Sequence, residues 1–126
     1  MSNELEVFYI YYDGDDIGVK FEQAYLDSNI DALQKLSWSL SEIHEDIKAF
    51  VRTFDGWVVE SGGDEGLIKV TASKKGVSEC IRVLSLMWSR YLLTATIASG
   101  STIQMAYQKV LDRKYKKRNF DGKALA

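Results

Sequence analysis

The sequence has no proline, one cysteine and one histidine among its 126 residues. No Pro-rich linker, internal repeat or low-complexity stretch divides it, so one domain spanning residues 1–126 is expected. The lone Cys80 excludes an internal disulfide framework, and its place among Val77, Ile81, Leu84 and Met87 at helical spacing reads as a buried core thiol. His44 lies between Ile43 and Glu45 with no second histidine to share a metal, and it reads as an exposed helix position. Long apolar runs are missing too. Nothing approaches the roughly 20 residues that cross a bilayer, and Met1-Ser2-Asn3-Glu4 lacks the basic start of a signal peptide, so no membrane contact and a cytoplasmic location are expected. A net charge of −2 gives no mark of a nucleic-acid binder, and direct DNA or RNA binding is not expected.

The 46% hydrophobic content suits one compact core. Charge is unevenly placed: Asp13, Asp15, Asp16, Asp64 and Glu65 come early, whereas Lys109, Arg113, Lys114, Lys116, Lys117 and Arg118 crowd the end. A basic run of this kind is favoured at a helix C-terminus by the helix dipole. A site needing both metal ligands and phosphate clamps would use the same distribution.

Val7-Phe8-Tyr9-Ile10-Tyr11-Tyr12 reads as a buried central strand stopped by Asp13-Gly14-Asp15-Asp16. After a short segment through Tyr25, a long amphipathic helix runs through Ile30, Leu33, Leu36, Leu40, Ile43, Ile47 and Val51, with Asp27, Ser28 and Asn29 as N-cap candidates. Trp57–Glu60 and Leu67–Thr71 are strands joined by the hairpin signature Ser61-Gly62-Gly63-Asp64-Glu65-Gly66. A helix from Val77 to about Tyr91, a strand over Leu93–Ala98 and a last helix from Ser101 or Thr102 complete a β-α-β-β-α-β-α order. That order predicts an α+β, ferredoxin-like fold with an antiparallel sheet, helices on one face and an added C-terminal helix. In it, the end of the first strand at Asp13 and the hairpin turn at Asp64 meet at one sheet edge.

Taken singly, each acidic segment is also an ordinary turn, because Asp and Gly are preferred there on backbone grounds. Their convergence is harder to explain that way. Clustered carboxylates repel one another unless a cation sits between them, and a hard divalent ion takes oxygen ligands including a backbone carbonyl such as that of Gly14.

At these residues the chain resembles a known superfamily. Tyr12-Asp13-Gly14-Asp15-Asp16-Ile17 is similar to the D-x-D strand end, and Gly62-Gly63-Asp64-Glu65-Gly66 to the GGDEF or GGDD hairpin, of diguanylate cyclases and of the palm domains of CRISPR-associated polymerases. Lys114 followed four residues on by Arg118-Asn119 resembles the ending of the cyclase domain. There are departures: Gly66 replaces phenylalanine, Gly18 replaces a usual lysine, and Phe21 and Ile30 fall near the positions that read guanine. The small size and the glycine after the hairpin acids look most like the minimal CRISPR polymerases.

The resemblance implies a metal-dependent nucleotidyltransferase using Mg2+ or Mn2+. Asp13 and Asp64 would be metal ligands, Glu65 a further ligand or general base, and the Gly14 carbonyl a backbone contribution. Gly62 and Gly63 would line the nucleotide site. Lys114 and Arg118, four apart on one helix face, would clamp phosphates, whereas Lys116 and Lys117 face elsewhere. ATP is the favoured substrate and a cyclic di- or oligonucleotide the product, formed by a homodimer of facing palms and passed to a cyclic-nucleotide-sensing effector in antiviral signalling. Three rivals stay open: a diguanylate cyclase-like enzyme using GTP, a catalytically silent palm that senses a nucleotide, and a ferredoxin-like interaction module whose acidic turns are only turns. Trp57, Trp88 and Tyr107 read as core or subunit-contact residues, and Trp38 as the aromatic best placed for an interface.

Overall fold

The structure, a computed structural model, describes residues 4–125, with side chains described through residue 117. Strand β1 (Glu6–Gly14) leads through helix α1 (Ile17–Leu26) to the long helix α2 (Ile30–Val51) and a 3-10 turn at Arg52–Phe54. A hairpin of β2 (Gly56–Gly62) and β3 (Glu65–Ala72) follows, then α3 (Lys74–Ser89), β4 (Ala95–Gly100) and α4 (Ile103–Leu125). The sheet order is β2-β3-β1-β4 with every neighbour antiparallel, the ferredoxin-like arrangement expected from the element order.

The segment before Tyr25 is a helix in its own right, which the sequence pattern left unassigned. Only Ile17 and Ala24 of α1 are buried, too few to write a visible apolar stripe. Of the three N-cap candidates, Asn29 takes the role on α2: its side chain accepts a hydrogen bond from the Ala32 amide at 3.0 Å. Ser28, just before it, sits in the left-handed region at φ 50° and turns the chain between the two helices.

The main core lies between the sheet and α1, α2 and α3. Ile10, Tyr12, Ile68, Val70 and Ile97 from the strands meet Ile43, Ile47 and Val51 of α2 and Val77, Cys80, Leu84 and Trp88 of α3. The expectation of helices on one face holds for these three and is corrected for α4. That helix packs on the opposite face, where Ala106 and Val110 bury against Tyr11 and Ala98. The reason is β1 itself. Successive strand side chains alternate between faces, and because Tyr11 is apolar-bodied as well as Ile10 and Tyr12, the strand needs cover on both.

Candidate active site at the strand end and hairpin turn

The β1–β3 register sets Asp13 opposite Glu65, and Gly62 pairs with Glu65 across the hairpin, so Gly63 and Asp64 alone form the turn. Gly63 has φ 55°, a backbone state that any Cβ would disfavour, and a two-residue loop with glycine first is a standard hairpin closure. The turn then folds onto β1: the Gly14 amide donates to the Asp64 carbonyl at 2.7 Å. The Asp64 carboxyl is a near enough neighbour of the Asp13 carboxyl to disfavour its ionisation. Two of the expected ligands therefore stand side by side although they come from different elements.

Burial pushes the Asp13 carboxyl above the usual carboxylate range, Lys114 opposes that shift, and the neighbouring Asp64 adds to it. The Lys114 ammonium donates to the Gly14 carbonyl at 2.8 Å and lies 3.2 Å from Asp13 Oδ2 and 3.7 Å from Asp15 Oδ1. The lysine side chain is 15% exposed, so this is a partly buried contact. An ammonium thus occupies the point where carboxylate and carbonyl oxygens converge.

Asp15 is held by two threonines: Thr94 Oγ1 donates to it at 2.8 Å and Thr96 Oγ1 at 2.7 Å. Its carboxylate fastens the β1–α1 loop to β4. Asp16 is exposed in the left-handed region at φ 56°, and its carbonyl accepts the Lys20 amide at the start of α1. Glu65 is exposed and accepts the Tyr11 hydroxyl at 2.5 Å, to the side of the Asp13–Asp64 pair. The buried Tyr11 hydroxyl, its ionisation pushed up by desolvation and then by Glu65, is a neutral donor there. Gly62 is exposed at the end of β2.

The C-terminal basic cluster divides by function. Lys109 donates to the Ser99 carbonyl at 2.7 Å and Arg113 to the Ile97 carbonyl at 2.6 Å, which caps the outer edge of β4. Lys114 enters the acidic site from the same helix. Lys116 and Lys117 are exposed, and the Arg118 side chain lies outside the described residues.

His44 corrects the sequence reading most directly. It is half-buried, with Nδ1 2.7 Å from the Tyr12 hydroxyl and Nε2 2.8 Å from the Gly63 carbonyl oxygen. The signal that could have found it is Gly66. A Cβ there would overlap the phenol of Tyr12, so the glycine after the hairpin acids makes room for a ring crossing beneath the turn.

A mostly apolar cleft of about 220 Å³ opens between α1, α2 and the loop before β4, lined by Lys20, Lys35, Leu36, Ser39, Tyr91 and Leu93. Phe21 packs on the core, and Ile30 is 67% exposed, so neither presents a hydrogen-bonding side chain. Trp88 is fully buried, while Trp38 and Trp57 are more than half exposed at 58% and 53%.

Among the described residues no three His, Cys, Asp or Glu side chains form a ready metal cage. Two carboxylates and one backbone carbonyl nevertheless fit magnesium, which keeps several waters and is held by one or two carboxylates together with substrate phosphates. The Lys114 ammonium, beside Asp13 and the Gly14 carbonyl, shows that two of those groups hold positive charge.

A ferredoxin-like sheet with paired acids on the first strand and the hairpin defines a nucleotidyl-cyclase-like palm. Residues 9–119 match the minimal CRISPR polymerase domain, and the chain belongs to that family. No curated protein matches it. Among solved structures it is similar to the guanylyl cyclase Cya2, at TM-score 0.56 and 13% identity, over 79% of this chain and 55% of that one. It is also similar to a bacterial light-regulated adenylyl cyclase, at TM-score 0.49 and 12% identity, over 79% of this chain and 31% of that one. The chain thus spans about half the length of the first of these. Among the described residues no helix is long and apolar enough to cross a membrane.

Proposed function

We propose that this palm joins nucleoside triphosphates, ATP by preference, into a cyclic di- or oligonucleotide with release of pyrophosphate. The observation that carries the reading is a cation, the Lys114 ammonium, held among Asp13 and the Gly14 carbonyl beside the Asp64 turn. Asp13, Asp64 and the Gly14 carbonyl would hold Mg2+ or Mn2+. A bound ion supplies a lowered pKa for the attacking ribose hydroxyl and neutralises charge on the departing pyrophosphate.

The chain's own residues do the rest. Asp13 and Asp64 must both carry charge to hold the ion, and burial followed by the neighbouring Asp64 disfavours ionisation of Asp13 until positive charge arrives. Lys114, released from Asp13, is within the span of a flexible lysine stem of incoming phosphates and serves as a clamp, with Arg118 as the second member. Asp15, fixed by Thr94 and Thr96, keeps the loop from collapsing into the space above Asp13. Glu65 is near enough to take a proton, as general base or further ligand. The apolar cleft beside Leu93 and Tyr91 would accept a base; adenine is favoured over guanine because Phe21 and Ile30, near the positions that read guanine in diguanylate cyclases, offer no hydrogen-bonding side chains.

Ring closure needs two nucleotides presented to each other, which a two-fold pair of facing palms supplies. In keeping with the family, the product would signal to a cyclic-nucleotide-sensing effector in antiviral defence.

One observation favours a second reading. Lys114 already neutralises the acids, as it would in a silent palm that senses a nucleotide without metal. Incubation with each of the four NTPs and magnesium, followed by mass analysis, separates the two. Pyrophosphate and a cyclic adenine product are expected; nucleotide binding without any joined product would establish the silent palm instead.

A further inference from the structure

Two residues of the candidate site are each preceded by a residue that His44 holds. Tyr12 comes immediately before Asp13, and Gly63 immediately before Asp64. The imidazole spans them, with Nδ1 at 2.7 Å from the tyrosine hydroxyl and Nε2 at 2.8 Å from the glycine carbonyl oxygen. A carbonyl can only accept, so Nε2 carries the proton. With a neutral ring Nδ1 then accepts, and the Tyr12 hydroxyl donates to it. Every group in the chain has a partner in this arrangement, whereas a second ring proton would leave the hydroxyl proton of a fully buried tyrosine with none. The polarity runs one way, from Tyr12 through His44 to Gly63.

The strand alternation gives this link its effect. Tyr12 points to the α2 face and Asp13 to the α4 face, so His44 grips the turn from the side opposite Lys114. On the other side, the Gly14 amide donates to the Asp64 carbonyl and extends the β1–β3 ladder into the turn. A turn whose first residue is Gly63, with Gly62 just before it, has little stiffness of its own. We infer that His44 is a positioning residue that, with Tyr12, fixes the hairpin turn against the end of β1 and so sets where the Asp64 carboxylate stands relative to Asp13. The inference rests on the nucleotidyl-transfer reading for the purpose of that placement, but not for the placement itself. A carboxylate misplaced by about 1 Å in a preorganised site costs on the order of a hundredfold in rate.

The test uses His44→Ala, Tyr12→Phe and the double variant, each checked for a cooperative thermal transition. Tyr12→Phe keeps the ring in the core and guards against a His44 variant that fails to fold. At saturating magnesium, kcat is expected to fall at least tenfold in each single variant while KM for the triphosphate stays within about twofold. The double variant should be no worse than the poorer single, because both changes break one link. Exchange of the Gly14 amide hydrogen, whose acceptor is the Asp64 carbonyl, should quicken at least tenfold in His44→Ala. Wild-type kcat in either folded variant, or losses that multiply, would overturn the assignment. If the wild-type protein turns over none of the four NTPs, the transfer reading fails and the placement is judged separately by nitrogen NMR of the imidazole and by Gly14 exchange. The Nε2–H tautomer with faster exchange in His44→Ala would support it, and the Nδ1–H tautomer or unchanged exchange would refute it.

Discussion

Replacing Lys114 by Met removes the ammonium and keeps most of the stem, and the structure allows the consequence to be worked out. The Nζ to Asp13 Oδ2 distance is 3.2 Å. Coulomb's law gives about 1.3 kcal/mol for such a pair in bulk water and about 5 at the effective dielectric of a protein surface. The side chains are 15% and 23% exposed, between a surface pair worth under about 1 kcal/mol and a buried one whose breakage costs about 3 to 5. A loss of about 2 kcal/mol in the metal-free protein is therefore expected. For a chain of this size that lowers Tm by roughly 6 to 10 °C. Binding of a divalent ion should move the other way, because the ion no longer competes with a tethered ammonium for Asp13 and the Gly14 carbonyl. Manganese affinity without nucleotide should tighten about tenfold, equivalent to about 1.4 kcal/mol. Thermal unfolding in chelator and again with manganese, together with titration followed by electron paramagnetic resonance, measures both quantities. Lys117→Met, at an exposed position, is the control. If the two variants match in stability and in manganese affinity, Lys114 does not occupy the cation site and the geometric argument for the site fails.

Asp13→Asn and Asp64→Asn should each abolish nucleotide joining while leaving a cooperative unfolding transition, read by pyrophosphate release and calorimetry. The raised Asp13 carboxyl also sets a sign: its folded-state pKa lies above the unfolded value, so its stabilising contribution is fully present below the unfolded value and is lost as pH rises through the folded one. Urea midpoints of metal-free protein should fall over that window, and Asp13→Asn should flatten the slope. Gly66→Ala should destabilise the fold by about 2 kcal/mol, measured by urea unfolding, because the new methyl overlaps the Tyr12 phenol beneath the turn. Lys114→Ala should raise KM for the triphosphate several-fold more than Lys117→Ala; equal effects would reduce the clamp to general electrostatics. Cys80, fully buried and with its thiol pushed up to about 12 by desolvation, should stay unreactive toward a disulfide reagent until the protein unfolds.

The meeting of Asp13 and Asp64 was legible because it depends only on strand order. A central first strand and a following hairpin bring those two chain segments to one edge whatever the side chains do. The side of the sheet taken by α4 was missed, although the unbroken apolar run of β1 demands cover on both faces. A helical period shows which face of α4 is apolar but not which face of the sheet receives it. The split of the basic cluster was not legible. Lys109, Arg113 and Lys114 differ only in which carbonyl lies beneath each, and β4 and β1 decide that through their carbonyl directions. His44 was hidden for a similar reason: one of its partners is a backbone oxygen, which carries no residue signature, and the other is a tyrosine that the apolar run had already assigned to the core.

Three successive side chains at the end of β1 hold three different parts of the site. Tyr11 donates to Glu65, Tyr12 reaches the hairpin turn through His44, and Asp13 meets Lys114. Alternation puts the first and third on the α4 face and the second on the α2 face, so the ionic contacts and the neutral link to the turn lie on opposite sides of one strand. That separation has a physical consequence. The Lys114 contact is a partly buried charge pair that a competing cation weakens, whereas the Tyr12–His44–Gly63 link is made of hydrogen bonds anchored by a core tyrosine and carries no such competition. On the proposed reading, charge would be exchanged on one face, lysine leaving as an ion and phosphates arrive, while the distance between the two carboxylates would be kept from the other.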